Sequence, residues 1–348
     1  MKLGIVGLPQ SGKSTIFAAL SGARGQKGEY GASGSGPRIS TVTVPDERVD
    51  LLTKIYQPKK MTYAKIEYLL PSQIPALSPS TAEGGVLNQV RICDALLEVL
   101  RNFEGPAGSA PTPGQDFLRL EEEMVLSDLV VAEKRIERIE LDRKRGKKEG
   151  EAEYSLLKSC CECLEGGEAL RNLPELASDP LLRGFTFLSA KPILVIVNNE
   201  DEDEKLPEWD SRPQGIDPMV VRGRLEMEIA SLSPEEAEEF REAYHIQESA
   251  LDRVIKNSYQ ILNRISFFTV ISDEVRAWSI DANSPALEAA GAVHSDMKKG
   301  FIRAEVLSFE DLKTHGSFQE AKKAGLVRLE GKEYAVKDGD IISFRFSV

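Results

Sequence analysis

No stretch of the 348-residue chain approaches the ~18 consecutive apolar residues that a membrane span needs, so a membrane partner is not expected. Positive charge is short as well: 44 lysines and arginines stand against 56 aspartates and glutamates, for a net charge of −12 and a pI near 5.0. That balance argues against a basic surface that coats nucleic acid, and DNA is not an expected partner, while a local basic patch stays open. Cysteine is scarce, with four residues placed too unevenly for a secreted disulfide framework. Cys160, Cys161 and Cys163 cluster with no histidine nearby, which does not make a four-ligand zinc site. They read as helix packing rather than as a thiol function, and Cys93 reads as core. The N-terminus opens directly on a strand without a signal-peptide pattern, so a cytoplasmic location is expected. What is left is a globular composition, 41% hydrophobic and 29% charged, at a length that suits two or three domains.

Against these absences stands one dense motif. Gly7 to Thr15 reads G-L-P-Q-S-G-K-S-T, between the apolar run Leu3 to Val6 and the helically spaced Ile16 to Leu20. It therefore lies where a strand ends and a helix begins, which is the setting of a phosphate-binding loop. Gly7 and Gly12 permit backbone angles closed to other residues, and the segment Pro9-Gln10-Ser11-Gly12 turns backbone N–H groups toward phosphate oxygens. The helix N-terminus at Ser14 and Thr15 adds partial positive charge. Lys13 would reach the β and γ phosphates, and the Ser14 hydroxyl would ligate Mg²⁺. The next segment, with glycines at 22, 25, 28, 31, 34 and 36, is either a first switch segment, with Ser35 the nearest metal ligand, or a flexible linker.

Ile39 to Val44 alternates as a strand, Pro45-Asp46 caps a helix from Glu47 to Ile55, and Met61 to Leu70 returns as a second strand. In a working P-loop hydrolase this second strand ends in an Asp that organises Mg²⁺, followed by a Gly that senses the γ phosphate. Here it ends Leu70-Pro71-Ser72-Gln73, and the one carboxylate on the strand, Glu67, comes three residues too early. Pro71 to Gly85 reads as a loop, Asn88 to Phe103 as a helix running into a buried strand, and Gly105 to Gly114 as a linker. From Asp116 a long helix begins. Leu118, Val125, Ala132 and Ile139 recur every seven residues, with Leu129 and Ile136 between them, and Leu156, Leu157, Cys160, Leu164 and Leu170 resume the pattern. The expected object is an antiparallel hairpin. Its basic run Arg143, Lys144, Arg145, Lys147 and Lys148 is a solvated tip or a partner-binding surface.

Ile193 to Val197 is a continuous apolar run of the kind found in a buried parallel strand, and it ends in Asn198-Asn199-Glu200-Asp201. Behind a phosphate loop, N-x-x-D is the pattern in which the Asn braces that loop and the Asp accepts hydrogen bonds from the base. Arg222-Gly223-Arg224 follows a further short strand where the loop backing the base would fall. Beyond Ile265, short strands and two helical pieces suggest a separate α+β unit, with Asp338-Gly339 as a turn before the last strand.

The order G-x-x-x-x-G-K-S-T, hairpin, N-x-x-D, then E-V-R-A-W-S-I, H-S-D-M-K-K-G-F-I-R-A-E-V and K-D-G-D-I-I-S-F-R-F closely resembles the Obg-like ATPase (YchF) family along essentially the whole chain. The resemblance implies an α/β fold: a P-loop NTPase G domain with a mostly parallel sheet over 1–114 and 185–264, and an inserted α-helical coiled-coil hairpin over 115–184. It also implies a C-terminal ubiquitin-like β-grasp (TGS) domain over 265–348, ATP or GTP with Mg²⁺, and a ribosome or RNA partner for a monomer. The family's D-x-A-G would fall on Leu70 to Gln73 and is absent, its N-x-x-E reads Asn198 to Asp201 here, and Arg222-Gly223 replaces a Ser-Ala pair. Asn198, Asp201 and Gly223 are the expected base-binding residues, and no residue is assigned a catalytic role. Weak or lost hydrolysis is the leading expectation. The alternatives are a slow ATPase that recruits Asp46 or Glu83, and a ribosome- or RNA-binding module on a nucleotide-domain scaffold.

Overall fold

The computed structural model describes residues 1–26, 36–72, 85–146, 150–209, 215–243, 246, 249–271 and 273–347. In chain order it begins with β1 (Lys2–Val6), α1 (Lys13–Arg24), β2 (Gly25–Gln26), β3 (Arg38–Thr43), α2 (Glu47–Tyr56), β4 (Lys60–Thr62), β5 (Lys65–Leu70), α3 (Val86–Val90) and β6 (Ala95–Asn102). It continues with α4 (Pro113–Lys144), α5 (Glu151–Glu165), α6 (Pro174–Ala177), β7 (Ile193–Asn199), β8 (Met219–Val221), α7 (Gly223–Ser231), α8 (Pro234–Ala243) and α9 (Ala250–Ile261). The C-terminal part contains β9 (Arg264–Ile271), β10 (Glu274–Asp281), α10 (Ala286–Val293), α11 (Ser295–Lys299), β11 (Phe301–Leu307), α12 (Phe309–His315), α13 (Phe318–Lys323), β12 (Arg328–Glu330) and β13 (Ile341–Phe346). Two compact units result: Met1–Val42 with Glu67–Val254, and Thr43–Ile66 with Ile255–Val348.

The first unit is built on a seven-stranded sheet in the order β2-β3-β5-β1-β6-β7-β8. β1 runs parallel to β5 and β6, and β7 runs parallel to β6 and β8. The central strands are buried on both faces, which is why β6 and β7 read as apolar runs rather than as alternations. α4 and α5 form the hairpin. Val125, Ala132, Ile136 and Ile139 of α4 pack against Leu157, Cys160, Cys161 and Leu164 of α5, so the thiols are core residues. Leu118, expected in that seam, is 43% exposed instead. The first turns of α4 face the sheet rather than α5, and Phe117, Leu120 and Met124 are the residues buried there. Among the described residues no helix is long and apolar enough to cross a membrane.

The second unit holds a mixed six-stranded sheet in the order β12-β11-β13-β9-β10-β4. The expected single strand Met61 to Leu70 is two strands in two sheets: β4 pairs with β10, and β5 pairs with β1. Alternation fixes which face a side chain takes but not which sheet a strand joins, so periodicity does not register the break at Tyr63-Ala64. Among the short strands expected beyond Ile265, the segment Glu333 to Val336 supplies only an isolated bridge between Pro285 and Ala335. Thr43–Ile66 is anchored within this unit by Arg48, whose guanidinium holds Asp46 at 2.9 Å and Asp338 at 2.7 Å. Arg48 also lies 5.0 Å from the centre of the Phe268 ring.

Candidate nucleotide-binding site

The loop between β1 and α1 has the backbone that its glycines forecast. Gly7 and Gly12 adopt φ of 153° and 93°. A Cβ on Gly7 would come within 2.5 Å of the Val99 carbonyl oxygen, and one on Gly12 within 2.1 Å of Asn198 Nδ2, so both positions exclude a side chain. Gln10 takes φ of 66° without being glycine, a conformation that costs on the order of 1 kcal/mol. Pro9, which has no N–H to offer, is exposed, as are Gln10 and Ser14; Thr15 is half-buried. The first turn of α1 carries no acidic residue, so nothing there offsets the positive end of the helix dipole. Lys13 Nζ donates to the carbonyl oxygens of Gly7 at 2.7 Å and Leu8 at 2.6 Å. Burial lowers the Lys13 pKa to about 8. Ser11 turns its hydroxyl inward, where it is buried without a partner.

Asn198, at the end of β7, ties this loop to the start of α7. It is 4% exposed, its Nδ2 donates to the Ser11 carbonyl at 3.1 Å, and its Oδ1 accepts the Gly223 N–H at 2.9 Å. Gly223 is required by close approach, since a Cβ there would lie 2.7 Å from Asn198 Oδ1 and 2.8 Å from Ile16 Cδ1. Asn198 and Gly223 thus meet the phosphate loop. Asp201 is placed differently. Its Oδ1 accepts the Leu225 N–H at 3.1 Å, capping the first turn of α7, and its Oδ2 lies 3.8 Å from Arg224 Nε. Arg222 braces the same loop by donating to the Asp201 carbonyl at 3.3 Å while pairing with Glu204 at 2.8 Å.

The end of β5 offers no carboxylate. Leu70 and Pro71 are buried, and the Ser72 N–H and hydroxyl both donate to Gln89 Oε1, at 2.9 and 3.1 Å. Glu67 pairs in register with Lys2, whose Nζ is 3.5 Å away, so it lies at the end of β1 remote from the loop. Asp46 is engaged as the N-cap of α2 and by Arg48. Gln73, Glu83, Ser35, Lys147 and Lys148 lie outside the described residues. At the hairpin end, Arg143 pairs with Glu151 at 2.6 Å and lies 4.0 Å from the centre of the Tyr154 ring. A Mg²⁺ ion would find the exposed Ser14 hydroxyl as a protein ligand and take its remaining oxygens from nucleotide and water.

Sequence reasoning missed three positions. Gln89 immobilises Ser72, and nothing in an isolated glutamine announces that. Leu225 supplies the N–H that Asp201 caps. Glu98 is buried in the middle of the apolar run of β6, where the signal is plain: a lone carboxylate among Leu96, Leu97, Val99 and Leu100.

Comparison with known proteins places this geometry in context. The family model YchF-GTPase_C, described as a protein of unknown function, matches residues 264–347. The Ribosome-binding ATPase YchF of Escherichia coli O157:H7 is 37% identical over 363 residues, covering 100% of this chain and 99% of that protein. The protein of the same name from Bacillus subtilis is 36% identical over 361 residues, covering 99% of each. Among solved structures, the Schizosaccharomyces pombe YchF GTPase superposes with a TM-score of 0.84 at 27% identity, covering 99% of this chain and 97% of that one. A GTP binding protein from Pyrococcus horikoshii OT3 shares the fold, with a TM-score of 0.58 at 17% identity and full coverage of both chains.

Proposed function

The chain belongs to the YchF family, and from that premise we propose that it is a ribosome-associated regulator that binds ATP or GTP with Mg²⁺ and hydrolyses it weakly or not at all. Gly7, Gln10, Ser11, Gly12, Lys13, Ser14 and Thr15 receive the phosphates, with Pro9 shaping the turn. Asn198 and Gly223 frame the base side, and Asp201 joins them there by leaving its cap on Leu225. The hairpin over 115–184 and the C-terminal domain face the macromolecular partner, and Thr43–Ile66 is assigned to that domain. The observation that carries binding is the Asn198 clamp, which holds the phosphate loop and the start of α7 in one hydrogen-bonded frame. The observation that carries weak turnover is the end of β5. Leu70, Pro71 and Ser72 supply neither the metal-organising carboxylate nor a free N–H for the γ phosphate, and turnover depends on interactions stronger in the transition state than in the ground state.

Titration calorimetry with ATP, GTP and non-hydrolysable analogues, with and without Mg²⁺, tests binding, and a turnover assay tests chemistry. Ribosome co-sedimentation with and without nucleotide tests the partner. Binding without turnover is the expected result; Mg²⁺-dependent hydrolysis at the rate of ordinary family members would sink the second half of the proposal and leave the first. A second reading, a slow ATPase, draws support from the word ATPase in the bacterial relatives' name. It predicts measurable turnover that Lys13→Ala abolishes.

A further inference from the structure

Six buried side-chain polar atoms among the described residues have no hydrogen-bond partner, and four of them belong to three residues: both Glu98 oxygens, Glu121 Oε1 and Arg171 Nη2. Buried polar atoms are nearly always paired, so four orphans in one cluster call for a physical account. Glu98 is fully buried on β6, in register with Val6 on β1 and Val195 on β7. The neighbouring strands thus set apolar residues beside it. From α4 comes Glu121, and from the turn at the foot of α5 comes Arg171; these are the charged groups that act on it. Arg171 is occupied on its other nitrogens: Nη1 donates to Glu121 Oε2 at 2.5 Å and Nε to the Lys191 carbonyl at 2.9 Å. One Arg171 donor is therefore left over within electrostatic reach of a carboxyl group that has two vacant acceptors. Seven residues along α4 from Glu121, Asp128 is fully satisfied by Arg91 at 2.7 Å and by the N–H and hydroxyl of Ser189 at 2.7 and 2.8 Å. The hairpin base is thus seated by one complete ionic contact and one incomplete one.

We propose that Glu98, Glu121 and Arg171 form a proton-linked latch between β6 of the sheet and the base of the helical hairpin. With Glu98 neutral, Arg171 rests on Glu121 as observed. When Glu98 loses its proton, the Glu98 oxygens become the stronger acceptors for the free Nη2 donor, Arg171 is drawn from Glu121, and the seat of α4 loosens. No bond is made or broken apart from the O–H of the Glu98 carboxyl, whose proton passes to solvent. Burial, reinforced by the Glu121 charge and opposed by Arg171, holds the Glu98 pKa well above the ordinary carboxylate value. The folded state therefore favours the proton. Its stability is fully present below the unfolded-chain value of about 4.3 and is lost as pH rises toward the folded value. Val6, the cross-strand register partner of Glu98, immediately precedes Gly7, so the latch sits across the ladder from the residue that leads into the phosphate loop. The inference does not depend on what that loop binds.

The test is a comparison of the full-length parent with Glu98→Gln by chemical denaturation from pH 4 to pH 9, together with hydrogen exchange of residues 113–124 and 168–173. Through the titration window the unfolding constant of the parent should rise, relative to that of the variant, by up to about tenfold per pH unit, and the two should run parallel outside it. Exchange at the hairpin base, corrected for its intrinsic pH dependence, should accelerate over the same window in the parent only. Glu121→Gln should move the window to lower pH, because it removes a like charge and frees Arg171. Carboxyl-carbon NMR of the parent, assigned through the backbone, gives a readout that survives a variant that fails to fold: the Glu98 carboxyl should titrate well above the ordinary carboxylate range. Parallel denaturation curves, pH-invariant exchange at 113–124, or an ordinary titration of Glu98 would each overturn the latch.

Discussion

Asn198→Ala removes two hydrogen bonds at once and leaves the Ser11 carbonyl and the Gly223 N–H without partners, both on buried residues. An orphaned buried group costs about 1–3 kcal/mol, so the pair predicts a loss of roughly 3 kcal/mol in the first unit. At about 2–4 °C per kcal/mol for a unit of this size, the melting transition should fall by about 6–12 °C. Nucleotide affinity should fall too. Freeing even one loop residue restores conformational entropy that binding must then remove, about 1–2 kcal/mol, or roughly tenfold in Kd. Asn198→Asp sharpens the test. It keeps an acceptor for the Gly223 N–H but sets a carboxylate oxygen against the Ser11 carbonyl, so at neutral pH it should be at least as damaging as alanine. Differential scanning fluorimetry and ATP calorimetry on both variants suffice. An alanine variant that melts within about 1 °C of the parent and binds ATP equally well would refute the clamp.

Lys13 has its pKa lowered to about 8 by burial, so the protonated ammonium that phosphate needs is progressively lost above that pH. ATP affinity should decline by up to about tenfold per pH unit above pH 8, and Lys13→Ala should flatten the profile while weakening binding by about 100-fold. ATP and ADP should bind within about tenfold of one another by calorimetry, because among the described residues the end of β5 offers no free group to the γ phosphate; a preference for ATP beyond about 100-fold would count against this account. Burial pushes the Cys93 thiol up to about 11 and the Cys160 thiol up to about 12. Iodoacetamide at pH 8 on the folded protein should therefore leave both unmodified by peptide mass spectrometry, with the half-buried Cys163 the first to react. Arg48→Met should destabilise the second unit by about 2 kcal/mol, since it strips charged hydrogen bonds from Asp46 and Asp338; an unchanged urea midpoint for that unit would remove the anchoring role given to Arg48.

The phosphate loop is legible in the sequence because its chemistry constrains nearly every residue from Gly7 to Thr15 and because local structure follows from local sequence there. Asn198 is legible only in combination, since one asparagine after an apolar run acquires meaning from the loop it braces 187 residues away. The membership of Thr43–Ile66 in the second unit is not legible. It depends on Arg48 meeting Asp338 across 290 residues, and neither residue advertises its partner. The strand break at Tyr63-Ala64 is hidden for a related reason, because β4 and β5 both alternate while their hydrogen-bond partners lie at opposite ends of the chain. Glu98 stands in plain view as a charge embedded in an apolar strand of the sheet, but only its burial within the influence of Glu121 and Arg171 gives it weight.

The contrast between Asn198 and Ser72 bears most directly on mechanism. Both are polar residues at the C-terminal edge of the same sheet, where the ends of parallel strands gather ligands. Asn198 spends its amide on two backbone groups of the phosphate loop and of α7, which organises a surface for binding without reacting to what is bound. In a switching hydrolase the end of β5 does the opposite, because its backbone N–H must be free to find the γ phosphate and be released afterwards. The Ser72 N–H is committed to Gln89 at 2.9 Å, and buried Pro71 beside it has no N–H at all. A segment held by its own side-chain contacts has little differential affinity for the two nucleotide states, and a ligand shifts an equilibrium only by that difference. On the proposed reading, β1 and β7 carry affinity, while Leu70, Pro71 and Ser72 at the end of β5 contribute neither a carboxylate nor a free N–H to turnover. Among the described residues, the phosphate loop and its Asn198 clamp are the elements through which that reading couples nucleotide to the fold.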